Sequence, residues 1–148
     1  MERIKINLPE QFKFSTTIAI RVTDLNYGGH VGNDVFLSLI QEARQQFLLH
    51  HGYAELQFDG YGLIMNDAAV EYKKELNYGD NLKIHVAATG FDKFGFDLFY
   101  KLEIIKGEET TLAGKAKTGM LCYDYTNKKL ARVPENAKEK LSGAAKMV

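Results

Sequence analysis

The chain has 148 residues, 45% of them hydrophobic, with 19 basic and 19 acidic side chains and a formal net charge of zero. That length suits one domain with a full core, read here as residues 1–148, and the balanced charge leaves no electrostatic case for nucleic acid or anionic membrane as a main partner. No apolar stretch approaches the roughly 20 residues that span a bilayer, the N-terminus lacks the apolar core of a signal peptide, and the single cysteine, Cys122, allows no intrachain disulfide, which fits a reducing cytoplasm.

Residues 1–13 read as a polar lead-in. From Phe14 to Val22 apolar and polar side chains alternate, the period of a strand. Residues 21–34 form a polar, glycine-broken loop carrying Asp24, Asn26 and His30. Val31, Val35, Phe36, Leu39, Ile40, Ala43, Phe47 and Leu48 then follow at helical spacing, a stripe for one buried face. Asn33 and Asp34 stand at the start of this helix, where a side-chain oxygen can cap free amides, and Gly52 stands just past its end. His50 and His51 suit the negative C-terminus. Residues 53–60 read as a connecting loop.

The stretch 63–76 opens almost wholly apolar, which predicts a strand covered on both faces. Asn66 and Asp67 interrupt it and need polar partners. Asn77-Tyr78-Gly79-Asp80 is a turn. Strands are predicted over 82–89, 94–104 and 110–123, and a short helix over 134–141 with Pro134 near its start. The order is strand, long helix, then four strands in a meander. An antiparallel sheet with one amphipathic helix buries the stripe by curling around it. Cys122, among Met120, Leu121 and Tyr123, reads as a small buried side chain. No histidine pair has metal-ligand spacing and no glycine-rich phosphate loop is present.

The series Arg21-x-x-Asp24-x-Asn26-x-x-Gly29-His30-Val31-x-Asn33, then Glu42-Ala43-Arg44, then Val70-Glu71-Tyr72 and Tyr78-Gly79-Asp80-Asn81-Leu82, resembles the hotdog-fold acyl-CoA thioesterases, the 4-hydroxybenzoyl-CoA thioesterase branch most nearly. The likeness runs over roughly residues 14–133. It implies an α+β hotdog fold in the order β-α-β-β-β-β, an antiparallel sheet wrapped around one long central helix. It implies hydrolysis of an acyl-CoA or acyl-carrier-protein thioester in a homodimer or dimer of dimers, with sites between subunits. Coenzyme A enters as part of the substrate and no other cofactor is implied.

The same resemblance places a catalytic carboxylate on the loop before the helix, and the matching residue here is Asn26, whose amide cannot take a proton at neutral pH. Asp24 matches a second acidic position. His30 matches the histidine of the Gly-His-Val-x-Asn signature, which is catalytic in the plant acyl-carrier-protein enzymes. Gly28 and Gly29 read as turn residues that let backbone approach a ligand. Amides around Gly32 and Asn33, at the positive end of the helix, are candidates to polarise the thioester carbonyl. Glu42 matches a helix glutamate and reads as structural. Asp67 is a candidate substrate contact across a dimer interface, and Lys73, Lys74 and Lys93 are candidates to hold the coenzyme's diphosphate. Because Asn26 replaces a carboxylate, a non-hydrolytic acyl-thioester binding protein is the first alternative. A hotdog hydroxyacyl-thioester dehydratase acting through His30 is the second.

Overall fold

The structure, a computed structural model, describes residues 1–143. Its elements run β1 (Phe14–Ala19), α1 (Asn33–His50), β2 (Gly62–Tyr72), β3 (Asn81–Thr89), β4 (Gly95–Lys106), β5 (Glu109–Asp124), β6 (Lys129–Leu130) and α2 (Glu135–Ser142). One antiparallel sheet holds every strand in the order β1-β3-β4-β5-β2, with β6 on the end of β5. Helix α1 lies across its inner face. This is the hotdog arrangement expected from the sequence.

The alternation read in the sequence fixes which face of each strand is buried. Leu82, Ile84 and Val86 of β3, Leu98, Tyr100 and Leu102 of β4, and Ala113, Ala116 and Met120 of β5 are essentially sealed from solvent. Against them α1 sets Phe36, Leu39, Ile40, Ala43, Phe47 and Leu48. Leu39 is 4% exposed. Leu39→Ala should therefore cost about 2–5 kcal/mol in lost transfer and cavity terms, read from the denaturant midpoint. A loss under about half a kcal/mol would put that face of α1 in solvent.

Three sequence expectations change. Only β3, β4 and β5 form a meander, because β2 crosses to the far edge and pairs with β5, leaving β3 to β1. The segment between β2 and β3 makes that crossing beside the loop before α1, where Val31 N–H donates to Leu76 O at 3.0 Å and Ile20 N–H to Asp80 O at 2.9 Å. Second, β2 is not covered on both faces: Met65, Asn66, Asp67 and Ala68 are all exposed.

Third, the chain leaves β1 at Ala19 and makes a single 3-10 turn over Val22–Asp24. Residues 53–60 form the connecting loop expected, and it is anchored: Tyr53 and Phe58 are buried and their rings meet at 4.9 Å. Beneath this loop the inward face of α1 carries a residue that its apolar stripe does not announce. Arg44 is 6% exposed, its Nε donating to Glu55 Oε1 at 2.7 Å and a guanidinium N–H to Tyr100 Oη at 3.3 Å.

The lead-in is also more engaged than its polarity predicts. Ile6 is buried; its N–H donates to Glu71 Oε1 and its carbonyl accepts from Lys115 Nζ, across β2 and β5.

Candidate active site

Loop 21–32 is built around two side chains that accept backbone amides. Asp24 is 5% exposed, and it takes the Arg21 N–H at 2.8 Å on one oxygen and the Arg21 guanidinium at 3.2 Å on the other. Burial pushes its carboxyl up, but those two Arg21 contacts outweigh it and hold the group below its usual value. Both oxygens are thus occupied in closing the turn.

Asn26 does the same one step later. Its Oδ1 accepts the Gly28 N–H at 2.8 Å and the His30 N–H at 3.4 Å, while its own N–H donates to His30 O at 2.7 Å. Asn26 is exposed. Gly29 turns the chain back at φ 81°, a left-handed conformation that glycine adopts without a Cβ penalty.

That closed loop delivers His30 to a partner set that no local spacing predicts. His30 Nδ1 lies 2.9 Å from Asn77 Oδ1, and Nε2 lies 3.5 Å from Glu75 Oε2. With Asn77 oxygen as acceptor, Nδ1 carries the proton and Nε2 presents its lone pair. Asn77 is itself fixed by the turn it opens: its N–H donates to Asp80 Oδ2 at 2.8 Å. The side chain of His30 is 45% exposed and that of Glu75 is 72% exposed, so the imidazole is open to water and ligand.

Beside His30, α1 begins. Its N-cap is Gly32, and no side chain caps it. The caps expected from Asn33 and Asp34 are absent because both residues are already in the helix. A Cβ on Gly32 would come 2.6 Å from Asp34 Oδ1, so glycine lets that carboxylate fold back over the turn. The amides of Asn33 and Asp34 have no intrahelical acceptor and point out of the positive helix end. Beside this first turn lies a cavity of about 240 Å³ lined by Val31, Asn33, Phe36, Tyr72, Lys73, Lys74 and Glu75. Tyr72 forms its wall, edge-on to Phe36 at 4.9 Å, with its hydroxyl donating to Asn33 O at 2.9 Å.

The structure therefore gathers Asn26, Gly29, His30, Gly32, Asn33, Lys73 and Lys74 at one end of α1, with Asp24 beneath them as an anchor. Two expected residues lie elsewhere. Lys93 sits in the β3–β4 hairpin, at the opposite end of the sheet, with its ammonium 5.1 Å from the Phe94 ring centroid. Asp67 is on the outer face of the β2 edge, paired with Lys117 at 2.7 Å. Glu42 is exposed and accepts from Gln46 Nε2 at 2.7 Å. Cys122 is sealed in the core, and burial pushes its thiol up to about 12, which leaves it inert. The sequence marks Tyr72 only within a motif and Asn77 only within a turn, and offers neither, nor Glu75, as a site residue. The one signal for Glu75 and Asn77 is that they flank a wholly buried apolar residue, Leu76, so they share the outward side.

No helix of the described residues is long and apolar enough to cross a membrane. No curated protein matches the chain in sequence. Solved structures resemble it in fold at low identity. A Staphylococcus aureus protein in complex with CoA has a TM-score of 0.79 at 18% identity, over 96% of this chain and 89% of that one. A 4-hydroxybenzoyl-CoA thioesterase mutant, aspartate to asparagine, complexed with 4-hydroxybenzoyl-CoA, gives 0.78 at 16% identity over 87% and 98%. A 1,4-dihydroxy-2-naphthoyl-CoA thioesterase from Synechocystis gives 0.73 at 19% identity over 86% and 94%. The family profile described as the Thioesterase-like superfamily matches residues 20–141. With a sheet wrapped on α1 and a polar loop feeding the helix N-terminus, the chain belongs to the Thioesterase-like superfamily, on a hotdog fold.

Proposed function

We propose that the protein hydrolyses an acyl-CoA thioester, with His30 as general base on water. The observation that carries this reading is the His30 imidazole, hydrogen-bonded through Nδ1 to Asn77 and turned through Nε2 toward Glu75, next to the first turn of α1. Nε2 takes a proton from water as the oxygen attacks the thioester carbonyl carbon. The amides of Asn33 and Asp34 donate hydrogen bonds to the developing oxyanion at the positive helix end. Glu75 stabilises the imidazolium, which then returns the proton to the departing CoA thiolate. Asp24 and Arg21 hold the loop rather than reacting, since both Asp24 oxygens are in use. Relatives in fold bind CoA or 4-hydroxybenzoyl-CoA, which supports CoA over other thiols. Lys73 and Lys74 at the cavity mouth suit its diphosphate.

Asn26 supplies the test that separates enzyme from binder. The side chain now holds Gly28 and His30 amides with its oxygen and offers Nδ2 to water or substrate. An aspartate there keeps one oxygen on those amides and turns a second, basic oxygen toward the carbonyl. Asn26→Asp should raise thiol release about ten-fold, and Asn26→Ala should lower it. A native protein inert on every acyl-CoA tested, yet binding one tightly, would favour the non-hydrolytic alternative.

We also propose a homodimer, or a dimer of such dimers, formed through the free β2 edge. A strand edge with unpaired backbone groups and exposed Met65 invites a second strand. Light scattering at micromolar concentration should give twice or four times the chain mass. A monomer there would remove any site shared between subunits.

A further inference from the structure

At the other end of α1 lies a cavity that this chemistry does not use. The 18 residues of α1 at a rise of 1.5 Å each put it roughly 27 Å from His30. It has a volume of about 260 Å³ and is bounded by α1, β1, β3 and α2. Val86 and Ala88 of β3 form its floor, and Leu141 of α2 its roof. Phe14 and Phe47 form a wall, their rings edge-on at 5.6 Å. Phe47, Val86, Ala88 and Leu141 are all buried core residues. The cavity opens to solvent at its polar rim and is apolar at its base, a shape that suits a ligand with an apolar body and a polar end.

The rim carries the ammonium groups of Lys13 and Lys140, with His50 and His51 beside them, and no carboxylate lines it. In a chain of zero net charge that segregation is informative. Among the described residues neither lysine makes a salt bridge. The Lys140 ammonium stands 5.1 Å from the Tyr53 ring centroid. A Cβ at Gly143, where φ is 78°, would lie 2.9 Å from Lys13 Nζ, so glycine makes room for that ammonium at the cavity edge.

We propose that this cavity binds a small monocarboxylic acid, its apolar body among Phe14, Phe47, Val86 and Leu141 and its carboxylate at the Lys13–Lys140 rim. An apolar pocket with a few convergent polar groups is the general form of a small-molecule site, and two lysine ammonium groups at the rim select an anion over a neutral analogue. The site is separate from the loop around His30, and its occupancy is measured without turnover, so it stands whether or not the protein hydrolyses thioesters.

The test is titration of the ¹⁵N-labelled full chain with octanoate, followed by amide shifts, with octanol as neutral control. Saturable shifts are expected at Val86, Ala88 and Leu141, with octanol binding about ten-fold more weakly for want of charge-assisted hydrogen bonds. Lys13→Gln with Lys140→Gln should weaken octanoate about ten-fold and leave octanol unchanged. Leu141→Trp should fill the cavity and abolish both. If that variant fails to fold, the lysine pair, outside the core, still decides. Shifts confined to residues 26–36, an absence of saturation, or equal binding of acid and alcohol would each overturn the proposal.

Discussion

Replacing His30 with glutamine should lower acyl-CoA turnover by about 10²–10⁴-fold, the usual worth of a positioned general base. Glutamine keeps a hydrogen-bonding side chain in the loop but cannot accept a proton at neutral pH. Binding should persist, because the helix amides and the wall made by Phe36 and Tyr72 are untouched. The loss should therefore fall on turnover rather than on the Michaelis constant. Glu75→Gln should cost far less, since an ion pair between groups this exposed is weak in water. Asn77→Ala should fall between, by freeing the imidazole to take its other tautomer. If His30→Gln retains full turnover, the base is elsewhere and the loop chemistry described above is wrong.

The second large effect is on stability. Arg44→Ala should destabilise the fold by about 3 kcal/mol, the low end for breaking a buried ion pair from one side. The guanidinium is the hub of a polar chain through the core: Glu55 to Arg44, Arg44 to Tyr100, and Tyr100 Oη to Thr118 Oγ1 at 2.8 Å. Removing it leaves Tyr100 short of a partner and opens a cavity under residues 53–60. The side chain of Glu55 is 31% exposed and can turn to water, which is why the low end applies. For a domain of this size the midpoint of thermal unfolding should drop by about 6–12 °C. Tyr100→Phe should cost only about 1 kcal/mol, because one hydroxyl is lost and Arg44 keeps Glu55. An Arg44→Ala loss below about 1 kcal/mol would mean that the network is incidental to stability.

Local periodicity is written in single windows of sequence, so it was legible. The 3.6-residue stripe from Val31 to Leu48 and the alternation in residues 82–104 fixed which faces are buried. With the resemblance of loop and helix, they were enough to identify a hotdog domain. The same windows placed Asn26, His30 and the α1 N-terminus at one end of the helix, because neighbours in sequence cannot be far apart in space. Strand pairing is different. Nothing within residues 62–72 says that their partner is β5 rather than β3, and that pairing alone makes β2 an exposed edge.

The partners of His30 depend on the same long-range decision. Glu75 and Asn77 reach it only because the chain crosses from β2 to β3 beside the loop, 47 residues away in sequence for Asn77. Lys93, grouped with Lys73 and Lys74 by the resemblance, lies in the β3–β4 hairpin at the other end of the sheet. Arg44 was read as part of a motif, yet its burial is set by Glu55 and Tyr100 arriving from two other elements. Sequence determined the faces of each element and the content of the loop. Tertiary structure decided which polar groups meet, since a hydrogen bond between distant segments is fixed by sheet register and crossover, which no local pattern encodes.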